Sequence, residues 1–231
     1  MSRKPRSESF YVKFVKRFAD IIIGVVALPF LAIIIAVVGV AIKIDDGGPI
    51  FYKARRIGKN SAVFNMYKFR SMIVNAPNLT NKDGSTYNAP DDERVTRVGR
   101  FIRKTSIDEL PQFLNLLIGN MTLIGPRASG AGALGTYQPD EEGKMLVKPG
   151  ITGYTQAYHR NGLSVREKRL KDAWYAENVT FGLDFKIFFK TIVTVLKREQ
   201  VYTNEAGTAT AELYVDNTAE EKVPVDHAEK K

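Results

Sequence analysis

The stretch ADIIIGVVALPFLAIIIAVVGVAIK, residues 19–43, decides how the rest of the chain is read. From Ile21 to Ile42 it runs 22 residues without a charge. At 1.5 Å rise per residue that is about 33 Å of helix, against a hydrocarbon core of about 30 Å. Length therefore permits a crossing. Pro29 lies inside the run, where proline removes a backbone donor and costs about 3 kcal/mol, although membrane helices tolerate such kinks. Basic residues crowd both ends: Arg3, Lys4, Arg6, Lys13, Lys16 and Arg17 before it, and Lys43, Lys53, Arg55, Arg56 and Lys59 after it. Cationic flanks prefer the cytoplasmic side, which pulls both ends the same way. The run ends in GVAIKIDDGGPIF, with no convincing cleavage site, so it reads as a permanent membrane element and not a signal peptide. Crossing and re-entry both stay open on these features.

The whole-chain numbers narrow the chemistry. The 231 residues fit one domain with attachments, and 44% apolar residues suffice for a core. There are no cysteines and two histidines, His159 and His227, which excludes disulfides and thiolate zinc and disfavours a histidine metal site. A metal here is expected to be a hard ion held by oxygens, such as Mg2+. The net charge of +9 is uneven: residues 203–231 carry seven acidic and three basic side chains, leaving 31 basic and 18 acidic in residues 1–202. A basic body beside a membrane segment points to anionic lipid and phosphorylated small molecules, with no nucleic-acid partner expected.

Beyond the apolar run, PIFYKARRIGKNSAVFNMYKFRSM predicts two short strands around a turn at Gly58-Lys59-Asn60. Residues 75–92 read as a polar surface loop. RVGRFIRKTSIDELPQFLNLLIGNMTLIGPR reads as helix, turn, helix and a glycine-proline stop, residues 128–163 as irregular, and residues 164–178 as a charged helix. FGLDFKIFFKTIVTVLKR, residues 181–198, fits either a core helix with a solvated face, the commoner case, or a helix in the lipid interface. Residues 203–231 lack apolar density and are expected to be disordered. GAGALG, Gly130 to Gly135, matches a dinucleotide fingerprint in letters only; no strand leads into it and no helix follows before Pro139, so a flexible loop is expected.

SIDEL, Ser106 to Leu110, places two carboxylates side by side. A capping box, with Ser106 as cap and Glu109 reaching back, would account for them. Pro111 argues against it, because it would then fall inside the helix and clash with the carbonyl of Ile107. Starting the helix at Asp108 puts Pro111 in the first turn and Asp108 at a helix N-terminus, where its carboxylate is kept ionised and free N–H groups can hold phosphate. Lys68, Arg70, Arg97, Arg100, Arg103, Lys104 and Arg127 surround the pair in sequence. Each alone is an ordinary surface cation; several near an Asp-Glu pair suggest a phosphate site, since arginine recognises phosphate oxygens in a bidentate way.

KRFAD, YKFRSM, TSIDELPQFLN, GNMTLIGPR, KPGITG and DAWYAENVTFGLDFKI, in unbroken order over about residues 12–200, together resemble the bacterial sugar transferases that act as monotopic phosphoglycosyl transferases. The resemblance implies transfer of a sugar-1-phosphate from a UDP-sugar to undecaprenyl phosphate with release of UMP, the first membrane step of a surface glycan. It implies Asp108 as the nucleophile forming a covalent phosphosugar, Glu109 as its partner associated with Mg2+, and Lys68, Arg103 and Arg127 as basic active-site positions. It also implies a helix–break–helix that dips into the bacterial inner membrane from its cytoplasmic face, and so favours re-entry. Two departures stand out: Pro126-Arg127-Ala128 where the family often has Pro-Arg-Pro, and Leu28-Pro29 where it often has Ser-Pro.

The expectation is an α+β, mostly helical protein: a basic N-terminal segment (1–20), a re-entrant membrane helix (21–42), a cytoplasmic catalytic domain with interfacial helices (43–202) and an acidic tail (203–231). Gln156, Arg160 and Asn161, just after KPGITG, are the expected donor contacts. Membrane lipids are expected partners, and oligomerisation is left open. The rival reading is a non-catalytic membrane module that binds anionic lipid in polysaccharide assembly.

Overall fold

The computed structural model describes residues 8–77, 79–80, 87, 89, 91–159, 163–196 and 214–215. A π-helical turn, Tyr11–Val15, runs straight into α1, Lys16–Asp46. This helix is long and apolar enough to cross a membrane. It passes through Pro29 without leaving helical structure and outruns residues 21–42 at both ends. The break expected at Leu28-Pro29 is therefore not a break in the helix. Proline removes one hydrogen bond, and the remaining turns of a 31-residue helix hold the geometry on either side. Gly47, at φ 72°, ends α1 in the left-handed conformation.

Along α1 five of the six buried positions, Asp20, Gly24, Leu31, Val38 and Ile42, fall at intervals of four and seven, with Gly39 beside Val38, which is one helical face. That face rests on the folded body from end to end. A Cβ on Gly24 would sit 2.5 Å from Leu117, so glycine allows the close approach there. Val38 and Ile42 pack with Phe69 and Ile102 in one core cluster. The opposite face leaves Phe18, Val26, Phe30, Ile33 and Val37 each more than 60% exposed.

β1, Phe51–Ile57, and β2, Val63–Phe69, form the expected antiparallel hairpin around a 3-10 turn at Lys59–Ser61. Its register sets Tyr52 opposite Lys68, Ala54 opposite Met66 and Arg56 opposite Phe64. Alternation along the strands places these six side chains on one face. β3, Leu79–Thr80, follows; α2 spans Arg97–Lys104 and is capped by Thr96, whose side chain accepts from the Gly99 N–H. A Cβ on Gly99 would lie 2.0 Å from the Ser71 carbonyl oxygen, so α2 lies directly on the chain leaving β2.

α3, Gln112–Ile118, leads through Gly119 to β4, Thr122–Ile124, which pairs in parallel with β5, Gly150–Thr152. The GAGALG segment is not a loop: Ala131–Thr136 is a 3-10 turn. Residues 128–163 are less irregular than expected, since β5 and the short helix α4, Tyr154–Tyr158, lie within them. α5, Val165–Asn178, starts at a capping box in which Ser164 and Glu167 bond reciprocally. The last strand, β6, is Tyr214–Val215, paired with β3 in the region expected to be disordered; the remainder of the acidic tail lies outside the described residues.

α6 spans Phe181–Leu196. Among its described side chains only a stripe through Asp184, Ile187 and Thr194 is buried, whereas Phe181, Phe185, Phe188, Phe189, Ile192 and Val193 are solvent-accessible. It is not a core helix with a solvated polar face; its apolar face points outward. Asp184 anchors the inward stripe. Its carboxylate accepts from Tyr175 Oη at 2.6 Å and Tyr11 Oη at 2.7 Å, and it pairs with Lys16. This knot ties the start of α1 to α5 and α6 above a core of Ile124, Val147, Tyr175, Val179 and Ile187. Burying such large side chains stabilises by about 1.5–3 kcal/mol each.

Candidate active site

The turn between α2 and α3 carries the adjacent carboxylates. Ser106 adopts φ 57°, and Ile107–Glu109 form a 3-10 turn. Ser106 makes no side-chain cap hydrogen bond, so the capping box is absent. Pro111 stands at the N-cap of α3, where its missing N–H leaves nothing unsatisfied. Asp108 is thus not the start of the helix; it precedes α3 in a separate tight turn.

The two carboxylates sit in different environments. Glu109 Oε1 accepts from Lys68 Nζ at 2.8 Å and from Arg127 Nη2 at 3.2 Å. Burial by itself raises the Glu109 carboxyl, but the charges of Arg127 and Lys68 outweigh it and hold the group at about 2. Asp108 is 9% exposed. Among the described residues it has electrostatic neighbours and no hydrogen-bond donor. Burial pushes its carboxyl up; Lys68 opposes this, Glu109 adds to it, and Arg103 and Arg127 oppose it further. The expected helix terminus is therefore not at Asp108, and its carboxyl is raised above the ordinary aspartate value. Desolvation outweighs the surrounding cations at this residue.

The hairpin face supplies the cations. Lys68 reaches Glu109 from β2, and Arg56, two pairs along the same face, lies within the field of Arg127 and Glu109. Arg56 is absent from the sequence-based set of site residues. Its guanidinium is lowered by burial and by the Arg127 charge, against Tyr52 and Glu109, and its Nε is buried without a partner among the described residues. The period of two between Arg56 and Lys68 partners was the available signal. Arg103, on α2, donates from Nε to Ser71 Oγ at 3.0 Å and contributes its charge to Asp108.

Arg127 is held from behind by buried groups that sequence reading also missed. Lys144 Nζ donates to the Arg127 carbonyl at 3.2 Å and pairs with Asp172 at 3.3 Å. Asp172, 2% exposed, accepts from Thr155 Oγ1 at 2.8 Å and from the Arg127 backbone N–H. The backbone of Arg127 is clamped on both its donor and its acceptor, while its side chain is more than half exposed. Alanine at position 128, the departure from Pro-Arg-Pro, packs against the cluster of Ala54, Met66 and Met121, so the loop is supported without a second proline.

Of the expected donor contacts, Gln156 lies on α4, where Nε2 donates to the Ile151 carbonyl at 3.3 Å and Oε1 is buried without a partner among the described residues. Arg160 and Asn161 lie outside the described residues. For a metal, no group of three or more His, Cys, Asp or Glu side chains gathers among the described residues. A cage built by protein alone is therefore not present there. Mg2+ commonly binds one or two carboxylates together with substrate phosphates and water, and Asp108 with Glu109 meets that requirement. Oε1 of Glu109 is already engaged by two cations, which leaves Oε2 and the Asp108 carboxylate for an ion.

Comparison with known proteins adds the lineage. The family model described as bacterial sugar transferase matches residues 11–198. The chain is 39% identical over 189 residues to a UDP-N-acetylgalactosamine-undecaprenyl-phosphate N-acetylgalactosaminephosphotransferase of Aeromonas hydrophila, covering 79% of this chain and 44% of the relative. It is 36% identical over 201 residues to an undecaprenyl-phosphate galactose phosphotransferase of Salmonella typhimurium, covering 82% and 42%. An uncharacterized sugar transferase of Bacillus subtilis is 37% identical over 194 residues, covering 84% of this chain and 93% of the relative. The chain thus spans less than half the length of the first two and nearly all of the third.

Proposed function

Because the chain belongs to the bacterial sugar transferase family, we propose that it transfers a sugar-1-phosphate from a UDP-sugar to undecaprenyl phosphate, releasing UMP. The observation that carries this reading is the Asp108–Glu109 turn: one carboxylate paired with Lys68 and Arg127, its neighbour buried and without a hydrogen bond among the described residues. A carboxylate with raised proton affinity and unoccupied lone pairs is suited to act as a nucleophile. In the proposed first step an Asp108 oxygen bonds to the sugar-bearing phosphorus as the bond from that phosphorus to the bridging oxygen breaks. UMP leaves with that electron pair. In the second step a phosphate oxygen of undecaprenyl phosphate attacks the same phosphorus, the acyl-phosphate bond breaks, and the Asp108 carboxylate is restored.

Negative charge spreads over the phosphoryl oxygens in both steps, and fixed cations stabilise it without reorganising. Arg127 and Lys68 supply that charge on one side, and Arg103 on the other. Glu109 keeps Lys68 and Arg127 in place between turnovers. When bound, Mg2+ would be held by Glu109 Oε2 with Asp108 nearby, and would supply charge neutralisation at the diphosphate.

The topology we propose is re-entrant only in the sense that α1, unbroken at Pro29, keeps both of its ends on the cytoplasmic side of the inner membrane. A crossing helix would carry its ends to opposite faces. Here both ends are bonded to one body: Lys16 to Asp184 and Asp20 to the Leu123 N–H at one end, Asp45 to the Val98 N–H and Asp46 to Arg70 at the other. The outward apolar faces of α1 and α6 then meet lipid. Single cysteines replacing Pro5 and Asn60 should both resist a membrane-impermeant thiol reagent in intact cells; labelling of one alone would establish a crossing.

The catalytic proposal is tested by incubating the full chain with a panel of UDP-sugars and Mg2+ without lipid, followed by intact-protein mass spectrometry. A phosphosugar increment with one donor identifies the sugar and supports the covalent step. Release of UMP without an increment would overturn the covalent step, and neither UMP release nor an increment, even with undecaprenyl phosphate added, would favour the non-catalytic lipid-binding module.

A further inference from the structure

A cavity of about 260 Å³ opens at the foot of α1, and none of Asp108, Glu109, Lys68 or Arg127 lines it. Its charged lining is Lys13, Lys16, Arg17, Lys59, Lys148 and Asp20, five cations and one carboxylate. Val12, Ile124, Val147 and Val179 form apolar walls. Most of the charges are accounted for. Lys16, near the bottom, is paired with Asp184, and Arg17 donates to the carbonyls of Leu116 and Leu117 at 2.6 and 2.8 Å. Asp20 accepts from the Leu123 N–H at 2.9 Å and Thr122 Oγ1 at 3.1 Å. Lys13 and Lys59, partly exposed at the mouth, share the carboxylate of Glu8.

Lys148 differs from these. Among the described residues its ammonium has no carboxylate within ion-pair distance, although it faces the cavity beside Asp20. Burial and the charges of Arg17 and Lys59 push it down, against Asp20. Cations crowded around a half-buried, unpaired lysine have an electrostatic deficit that an anion would fill. The apolar walls call for an anion attached to hydrocarbon, and the stretch of chain that lines the cavity also carries Phe10, Phe14 and Phe18, which are 61–71% exposed. We propose that this cavity binds the phosphate group of an anionic lipid headgroup, with Lys148, Lys59 and Lys13 as its ligands and Glu8 as the group it displaces. The lipid tail lies against the apolar walls of Val12, Ile124, Val147 and Val179. The proposal does not depend on the transferase reading, since it uses none of that site's residues.

The test uses the full chain in a neutral detergent, titrated with dioctanoyl phosphatidylglycerol, dioctanoyl phosphatidylcholine or inorganic phosphate, with the thermal unfolding midpoint and calorimetric binding as readouts. Saturable one-to-one binding of phosphatidylglycerol is expected, with phosphatidylcholine at least about tenfold weaker. Lys148→Gln should weaken phosphatidylglycerol binding at least about tenfold, the equivalent of one hydrogen bond to a charged group. Glu8→Gln should strengthen it, and Arg55→Gln, exposed on β1, should leave it unchanged. Should Lys148→Gln fail to fold, Lys59→Gln on the exposed turn serves in its place. Equal binding of the two lipids, or no effect of either lysine variant, would overturn the proposal. Inorganic phosphate binding as tightly as phosphatidylglycerol would overturn the lipid assignment.

Discussion

Asp108 and Asp184 are both buried aspartates with cationic neighbours, Lys68, Arg103 and Arg127 for the first and Lys16 for the second, and they are completed differently. Asp184 has its lone pairs filled by Tyr175, Tyr11 and Lys16. Asp108 has Lys68, Arg103 and Arg127 in its field and no hydrogen bond among the described residues. A saturated carboxylate is a structural tie, because every proton donor around it has been used. An unsaturated one stores desolvation energy and keeps lone pairs free for an incoming phosphorus. The difference separates a group that holds the protein together from one that can react.

The largest effect expected is at the reactive member. Asp108→Asn should reduce sugar-phosphate transfer at least about a thousandfold, because an amide cannot form the acyl phosphate. The same change at Asp184 should leave the chemistry largely intact in whatever fraction stays folded, and instead lower stability. Breaking a buried ion pair on one side costs about 3–5 kcal/mol, read as a fall on the order of 10 °C in the unfolding midpoint. If Asp184→Asn cost activity and not stability, the contrast between the two aspartates would collapse.

Within the site the neighbours should respond to pH with opposite signs. Glu109 is held at about 2, below its ordinary 4.5, so its ionisation stabilises the fold above the unfolded value and this is lost as pH falls from about 4.5 towards 2. Glu109→Gln should therefore destabilise at neutral pH, by no more than about 3 kcal/mol because the side chain is a quarter exposed. Asp108 is raised, so its ionised form is worse tolerated folded than unfolded. Asp108→Asn should stabilise the protein at neutral pH, and the gain should vanish below the ordinary aspartate range. Thermal melts across pH check both signs.

The smallest effect sharpens the role of the clamp on Arg127. Lys144→Met removes the donor to the Arg127 carbonyl and leaves Asp172 buried without its cation. Displacing a phosphate-binding group by a fraction of an ångström costs about 10- to 100-fold in turnover. The fall should appear in kcat more than in KM, and Lys144→Arg should restore part of it; loss of stability alone would reduce the clamp to a structural pair.

Local signals in the sequence carried several elements through to the structure. The hairpin turn at residues 58–60, the charged helix over residues 164–178, and Pro111 at the head of α3 each depend on residues within a few positions of one another. The adjacency of Asp108 and Glu109 is covalent, so it could not be missed. Apolar length was equally legible in α1, and so were the basic residues at both of its ends. Partnership was not. Asp184 meets Lys16 across 168 residues and Asp172 meets Thr155 from a neighbouring helix, and no periodicity announces which charge a distant charge will find. Arg56 looked like a flanking cation until the strand register turned it towards Arg127.

The sequence by itself determined which segments are apolar, where local turns and caps fall, and that two carboxylates stand together near many cations. Tertiary structure decided which face of α1 and α6 is covered, whether a buried aspartate is saturated or left open, and how one lysine comes to lie unpaired in a cavity. The physical reason is that backbone geometry and hydropathy act over a few residues. Desolvation and hydrogen-bond satisfaction belong to positions in space, and exist only once distant parts of the chain have met.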